Sequence, residues 1–190
     1  MRYEKGHKEA TRKHILDVAS RRFRKDGIAA TGLACIMKDA GLTNGAFYAH
    51  FPSKAALVEE VLITSLEDFN NEFVSRLGEN VSQLHEFIRV YLGTEHRDEP
   101  KSGCPTSALV AEIGRAPKPI RKAYTTSIED FFGRVSESMN GTDPALARQQ
   151  GIALFALAIG SLQLARAVTD KQLSEEIMQA GIEVAIKFTA

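Results

Sequence analysis

Gly41-Leu-Thr-Asn-Gly-Ala-Phe-Tyr-Ala-His-Phe-Pro-Ser-Lys54 decides how this chain is read. A short helix over about residues 44–50 fits between the turn at Gly41 and the stop at Pro52. Thr43, Asn44, Gly45 and Ala46 give it a small, polar leading edge. Phe47 and Phe51 are four apart and share a face that can be buried. Tyr48, His50 and Lys54 carry groups that donate hydrogen bonds to phosphate. A small polar tip, an apolar back and donors at the rim are the parts of a helix that enters a DNA major groove.

Working upstream, Ile15, Val18, Ala19 and Phe23 mark one face of a helix over about 8–26, which Asp26-Gly27 ends. Thr31 is placed to cap a second helix over about 32–40, with Leu33, Ile36, Met37 and Ala40 inward. Downstream, Ser53 caps a long helix over about 54–77. Past Gly78 the pattern loosens into a helix over about 81–95 and a charged loop at 96–103. Cys104-Pro105 opens the next helix and Arg115-Ala-Pro-Lys-Pro breaks it. Helices over about 118–139, 144–168 and 171–188 follow, the second opened by Thr142-Asp143-Pro144. The fold class is therefore all-α, with about nine helices. The expected domains are a DNA-binding head at 1–54 and a helical body at 55–190.

The net charge of zero hides an asymmetry. Residues 1–54 hold eleven Lys/Arg against five Asp/Glu, and the remainder holds thirteen against nineteen. A basic head on an acidic body suits one part that meets phosphate and another that does not. Two cysteines, Cys35 and Cys104, are too few for a disulfide framework and suit a reducing compartment. The longest apolar run, Ile152 to Ile159, is eight residues, against about 20 for a membrane span. The expectation is a cytoplasmic protein with no membrane partner, no cofactor and no metal site.

Residues from about 8 to 58 resemble the DNA-binding domain of the tetracycline-repressor (TetR) family. The matching pieces are Ile15-Leu16-Asp17-Val18-Ala19, Phe23, Gly27-Ile28-Ala29-Ala30-Thr31, Ile36, Ala40-Gly41-Leu42 and Phe47-Tyr48-Ala49-His50-Phe51-Pro52-Ser53-Lys54. The chain departs from the common pattern at Gly32, Ala34, Cys35, Asn44 and Ala49. The last two stand where Lys and Arg are frequent.

The resemblance implies a homodimer on a pseudo-palindromic double-stranded operator, released by a small-molecule inducer. In that setting Asn44 pairs with an adenine edge, Ala46 touches a thymine methyl and Thr43 reaches base or phosphate. Gly45 lets the backbone approach, while Tyr48 and His50 bond phosphates. Thr31 and Lys54 sit at helix N-termini that favour an anion. The plain alternatives are that Asn44 is a helix cap and that Tyr48 and His50 only pack. Arg2, Lys5 and Lys8 read equally as a groove-binding arm and a solvated tail. Cys35 reads as core.

Helices over 144–168 and 171–188 carry small and apolar faces that two copies can pair into a four-helix bundle. The interface candidates are Gly151, Leu154, Ala158, Leu162, Ile177 and Val184, and the alternative is monomer core. The aromatic cavity candidates are Phe69, Phe73, Phe87, Tyr91, Tyr124, Phe131 and Phe155, each of which also reads as core. Cys104 joins them at a helix start, where the dipole lowers a thiol pKa. Two further readings are a switch by oxidation or alkylation of Cys104 and, more remotely, a thiol enzyme pairing it with His85 or His96.

Overall fold

The computed structural model describes residues 5–77, 81–138 and 143–188. Arg2, Gly78 and Thr142, used above, lie outside them, as does the side chain of Lys5. The described residues form helices and turns, with no strand.

Three helices build the head: α1 (Lys5–Asp26), α2 (Leu33–Asp39) and α3 (Asn44–Phe47). Gly27 and Gly41 make the turns at φ +87° and +69°, where a Cβ would strain the backbone. Ile15, Ala19, Phe23, Ile36, Met37, Phe47 and Phe51 are buried together. The same cluster takes in Leu57, Val61 and Leu62 of α4 (Lys54–Leu77), so the head's core continues past Lys54.

The body holds α5 (Val81–Tyr91), α6 (Thr94–Asp98), a 3-10 turn at Pro100–Ser102, α7 (Pro105–Ile113), α8 (Lys118–Ser138), α9 (Pro144–Ala167) and α10 (Lys171–Phe188). Two of the caps are those read from sequence. Ser53 Oγ accepts the Ala56 amide at 3.1 Å, and Asp143 Oδ1 accepts the amides of Ala145 and Leu146 at 3.0 and 3.1 Å. A second cluster gathers Phe73, Ile88, Tyr91, Leu92, Cys104, Phe131, Phe155 and Leu162. Helix α4 passes through both clusters, and α7 reaches from one to the other.

Two sequence expectations are corrected. The helix expected over 81–95 breaks before Gly93, whose extended backbone opens α6, and α6 runs on into the supposed loop. Arg166 of α9 stabilises that turn by donating to the carbonyls of His96 and Arg97. Thr31 does not cap α2: Gly32 holds the cap position, and Thr31 Oγ1 donates back to the Gly27 carbonyl at 2.6 Å. Apart from these, α9 as a whole is long and apolar enough, by length and composition, to cross a membrane, although no single run in it is, and one such helix among the described residues is weak evidence of a span. Helical bundles meet the same measure, and α9 packs between α8 and α10.

The packing also reassigns faces. Gly151 is buried against Val135 of α8, and Leu162 is fully buried in the protomer's own core. Leu154 and Ala158 are partly buried against that same core. The large apolar residues exposed on α9 are Leu146, Ile152 and Leu164, with Ala156 and Gly160 between the last two. On α10, Leu173 and Val184 are exposed and Ile177 is half-buried.

Candidate functional site

Thr43, the cap position of α3, is exposed with Asn44, Gly45 and Tyr48, the last at 70 %. Ala46 is half-buried. Phe47 and Phe51 stack beneath at 5.7 Å, and Tyr48 stands edge-on to Phe47 at 5.2 Å. Helix α3 stops at Phe47 and a turn carries the chain to Phe51, because the residue before Pro52 is steered away from helical backbone. The polar tip therefore projects from an apolar base that holds it in place.

His50 is half-buried, and its Nδ1 has no hydrogen-bond partner. Burial lowers its pKa, and the charges of Lys8 and Arg12 lower it further. A neutral imidazole with an unpaired nitrogen is left beside the turn that follows α3. Arg12 lies over the Phe51 ring at 4.5 Å and pairs with Glu60. Arg22 pairs with Asp26 at 2.9 Å and with Asp39. Part of the head's positive charge is thus matched within the protein.

Thr31 and Lys54 are placed differently from Asn44 and Tyr48. Thr31 is buried, and Lys54 Nζ donates to the Ile28 carbonyl at 2.7 Å. Both hold the loop between α1 and α2. The same loop receives a carboxylate that sequence reasoning missed. Glu112 of α7 accepts the Ile28 amide at 3.0 Å through Oε1 and the Ala29 amide at 2.8 Å through Oε2. No local pattern in the sequence marks a contact between residues so far apart. Cys35 is half-buried rather than fully in the core.

In the body, a cavity of about 330 Å³ is lined by Phe69, Phe73, Phe87, Tyr91 and Cys104, five of the eight expected residues. Phe131 and Phe155 pack behind Phe73 in the core, with Phe73 and Phe131 4.7 Å apart. Tyr124 packs against the other cluster. Glu72, Glu95 and Glu99 also line the cavity, whose lining among the described residues includes no Lys or Arg. A second, more polar cleft of about 340 Å³ runs between α1 and α4 and includes Asp17, Arg21, Arg24 and Asp68. Ser102 and Gly103 line both spaces.

His96 organises the cavity wall. Its Nδ1 lies 2.7 Å from the Tyr91 carbonyl, and its Nε2 accepts the Cys104 amide at 2.9 Å. That pair of roles requires the neutral ring protonated on Nδ1. Burial lowers the His96 pKa, outweighing the Tyr91 carbonyl that raises it, and Arg166 lowers it further. A Cβ at Gly103 would fall 2.3 Å from the imidazole, so glycine is what admits the ring. The Tyr91 hydroxyl is buried beside the Cys104 thiol and Ser107, without a hydrogen bond of good geometry.

Cys104 itself corrects an expectation. It occupies the cap position of α7, but burial raises its pKa instead of the dipole lowering it. The thiol rests protonated, and His96, one of the two imidazoles considered for a thiol enzyme, is engaged with the Cys104 amide. Among the described residues, no group of His, Cys, Asp and Glu could hold a metal ion.

Comparison with known proteins gives a consistent result. Residues 15–61 match the family model described as bacterial regulatory proteins, tetR family. The HTH-type transcriptional regulator AcrR of Shigella flexneri is 47 % identical over 84 residues, 42 % of this chain and 39 % of that protein. The match to TtgR of Pseudomonas putida likewise spans 39 % of that regulator's length, at 38 % identity and over 44 % of this chain. An uncharacterized HTH-type regulator of Bacillus subtilis, YxaF, is 27 % identical over 85 % of this chain and 87 % of its own length. Among solved structures, the reduced form of E. coli NemR superposes with a TM-score of 0.77 at 21 % identity, over 93 % of this chain and 95 % of that one.

Proposed function

We propose that this chain, which belongs to the tetR family of bacterial regulatory proteins, is a DNA-binding transcriptional repressor that acts as a homodimer and leaves its operator when a small molecule fills the body. The observation that carries the reading is the tip of α3. Thr43, Asn44, Gly45 and Tyr48 stand clear of the protein on a buried aromatic base, at the end of the molecule that holds the positive charge. Asn44 is the base reader, able to bond an adenine edge through both amide atoms, and Ala46 packs against a thymine methyl. Tyr48 and His50 bond the backbone and fix the register.

The second copy sits on the outward stripe formed by Ile152, Ala156, Gly160 and Leu164 of α9 with Leu173, Ile177 and Val184 of α10. Covering it makes a four-helix bundle across a two-fold axis and presents two α3 helices to a pseudo-palindrome. The effector is an apolar or aromatic molecule in the cavity walled by Phe69, Phe73, Phe87 and Tyr91. Filling the cavity bears on α4 through Phe69 and Phe73, and α4 begins in the head.

Selection of duplexes from a random library, followed by affinity measurements on single-base variants, tests the assignment. Asn44→Ala is expected to lose about 1–3 kcal/mol of discrimination at one base pair of each half-site. Tyr48→Phe is expected to weaken binding to all sequences alike. Unchanged profiles in both variants would remove α3 as the reading element.

A further inference from the structure

We infer that Glu112 is the positioning residue through which the cavity governs the DNA-binding head. The inference rests on the reading above that an effector fills the cavity. Helix α7 is a nine-residue rod, about 13 Å long at about 1.5 Å per residue. Its two ends stand at the two places that a switch has to join. At the first, Cys104 lines the cavity and its amide is held by His96, another cavity residue. At the other, the Glu112 carboxylate accepts two successive amides of the loop that joins α1 to α2.

The grip on that loop is specific. The Ile28–Ala29 peptide is held from both sides, its N–H by Glu112 and its carbonyl by Lys54, the first residue of α4. Two parallel N–H donors need two acceptor oxygens, and a charged carboxylate supplies the stronger form of that bond. Gly27 leaves room for it: a Cβ there would fall 2.7 Å from Glu112 Oε1, on a backbone at φ +87°. The loop leads straight into α2, which packs on α3. A short helix moves as a unit, so a push on Cys104 arrives at Ile28 and Ala29 and turns the head against the body. Glu112 thus adds a second route beside α4, and Lys54 is where the two meet.

The test uses the full-length protein, a duplex selected by the wild type, and tert-butylbenzene as the cavity probe. Glu112→Gln keeps the side chain's size but offers only one acceptor oxygen to the two amides. Wild type with saturating probe is expected to bind DNA about 5–150-fold more weakly. In Glu112→Gln the probe's own affinity stays within roughly twofold of wild type, while its effect on DNA affinity shrinks to under about twofold. Gly27→Ala, which drives a methyl group into the carboxylate, reproduces the uncoupling from the other side.

Coupling that survives in Glu112→Gln overturns the inference. So does a parallel loss of probe binding, which would make the residue merely structural. If the probe binds wild type and leaves DNA affinity unmoved, the effector reading fails instead. Hydrogen exchange then decides the clamp: the Ile28 and Ala29 amides should exchange at least about tenfold faster in Glu112→Gln, with a shifted DNA affinity. Unchanged exchange and affinity would overturn it independently of any ligand.

Discussion

Raising salt from 50 to 200 mM is expected to weaken operator binding by about 10³–10⁵-fold, the loss that follows when a dimer neutralises about 6–10 phosphates. Each head then supplies three to five of those contacts by symmetry, about three to five per protomer. The head's eleven cations over five acids leave room for this number. Its pairing pattern favours the lower end, because Arg12 and Arg22 are engaged with Glu60, Asp26 and Asp39. Phosphates held by the proposed neutral donors Tyr48 and His50 would release no counterions through those contacts. Fluorescence anisotropy across a salt series reads the slope, roughly −0.9 per neutralised phosphate. A slope of about −2 or flatter would show that the basic head is not what holds DNA.

Leu164→Glu and Val184→Glu are expected to yield folded monomers that bind operator about 10²–10⁴-fold more weakly, through loss of the second half-site's effective concentration. Leu164 and Val184 are 60 % and 53 % exposed, so a carboxylate there costs the isolated protomer little, within about 0.5 kcal/mol. Across a dimer interface the same carboxylate loses water without gaining a partner, at about 3–5 kcal/mol each, and both copies incur it. Leu162→Glu is the instructive contrast. Leu162 is fully buried in the protomer, so this substitution should lower Tm and expose apolar surface instead of producing a clean monomer. Light scattering with circular dichroism separates the outcomes; dimers persisting in both surface variants would place the interface elsewhere.

The head was legible because its signals are local. Asp26-Gly27, Gly41 and Pro52 punctuate the chain with backbone chemistry, and Phe47 and Phe51 declare a buried face by spacing alone. The body was legible only as helices. On α9 small and apolar residues occur on both faces, so periodicity could not tell Leu162, which faces the core, from Leu164, which faces out. The aromatic residues behaved alike: Phe73 and Phe131 are both buried, and only packing shows which of them borders a space. The cap expected of Thr31 failed because the helix starts one residue later, with Gly32 at the cap position, and the Thr31 hydroxyl donates back to the Gly27 carbonyl. Glu112 and His96 act across 84 and 8 positions of sequence, on backbone atoms that every residue type possesses. Nothing in the identity of Ile28, Ala29 or the Cys104 backbone announces such partners.

The imidazole between Tyr91 and Cys104 makes this protein acid-sensitive at a place remote from DNA. Its Nε2 serves as an acceptor, and a proton added there would set N–H against N–H and detach α7 from the α5–α6 corner. Burial holds the native pKa below the ordinary value of 6.5. An unfolded chain therefore takes up the proton first, and the stabilisation is complete above pH 6.5 and drains away as pH falls through the lower native value. Thermal melts between pH 7.5 and 5 should show a steeper decline for wild type than for His96→Gln, whose amide can accept the Cys104 N–H and does not titrate; equal slopes would assign the acid response to other groups. A fall in pH would then loosen the wall that borders the cavity, and proton concentration becomes an input to it.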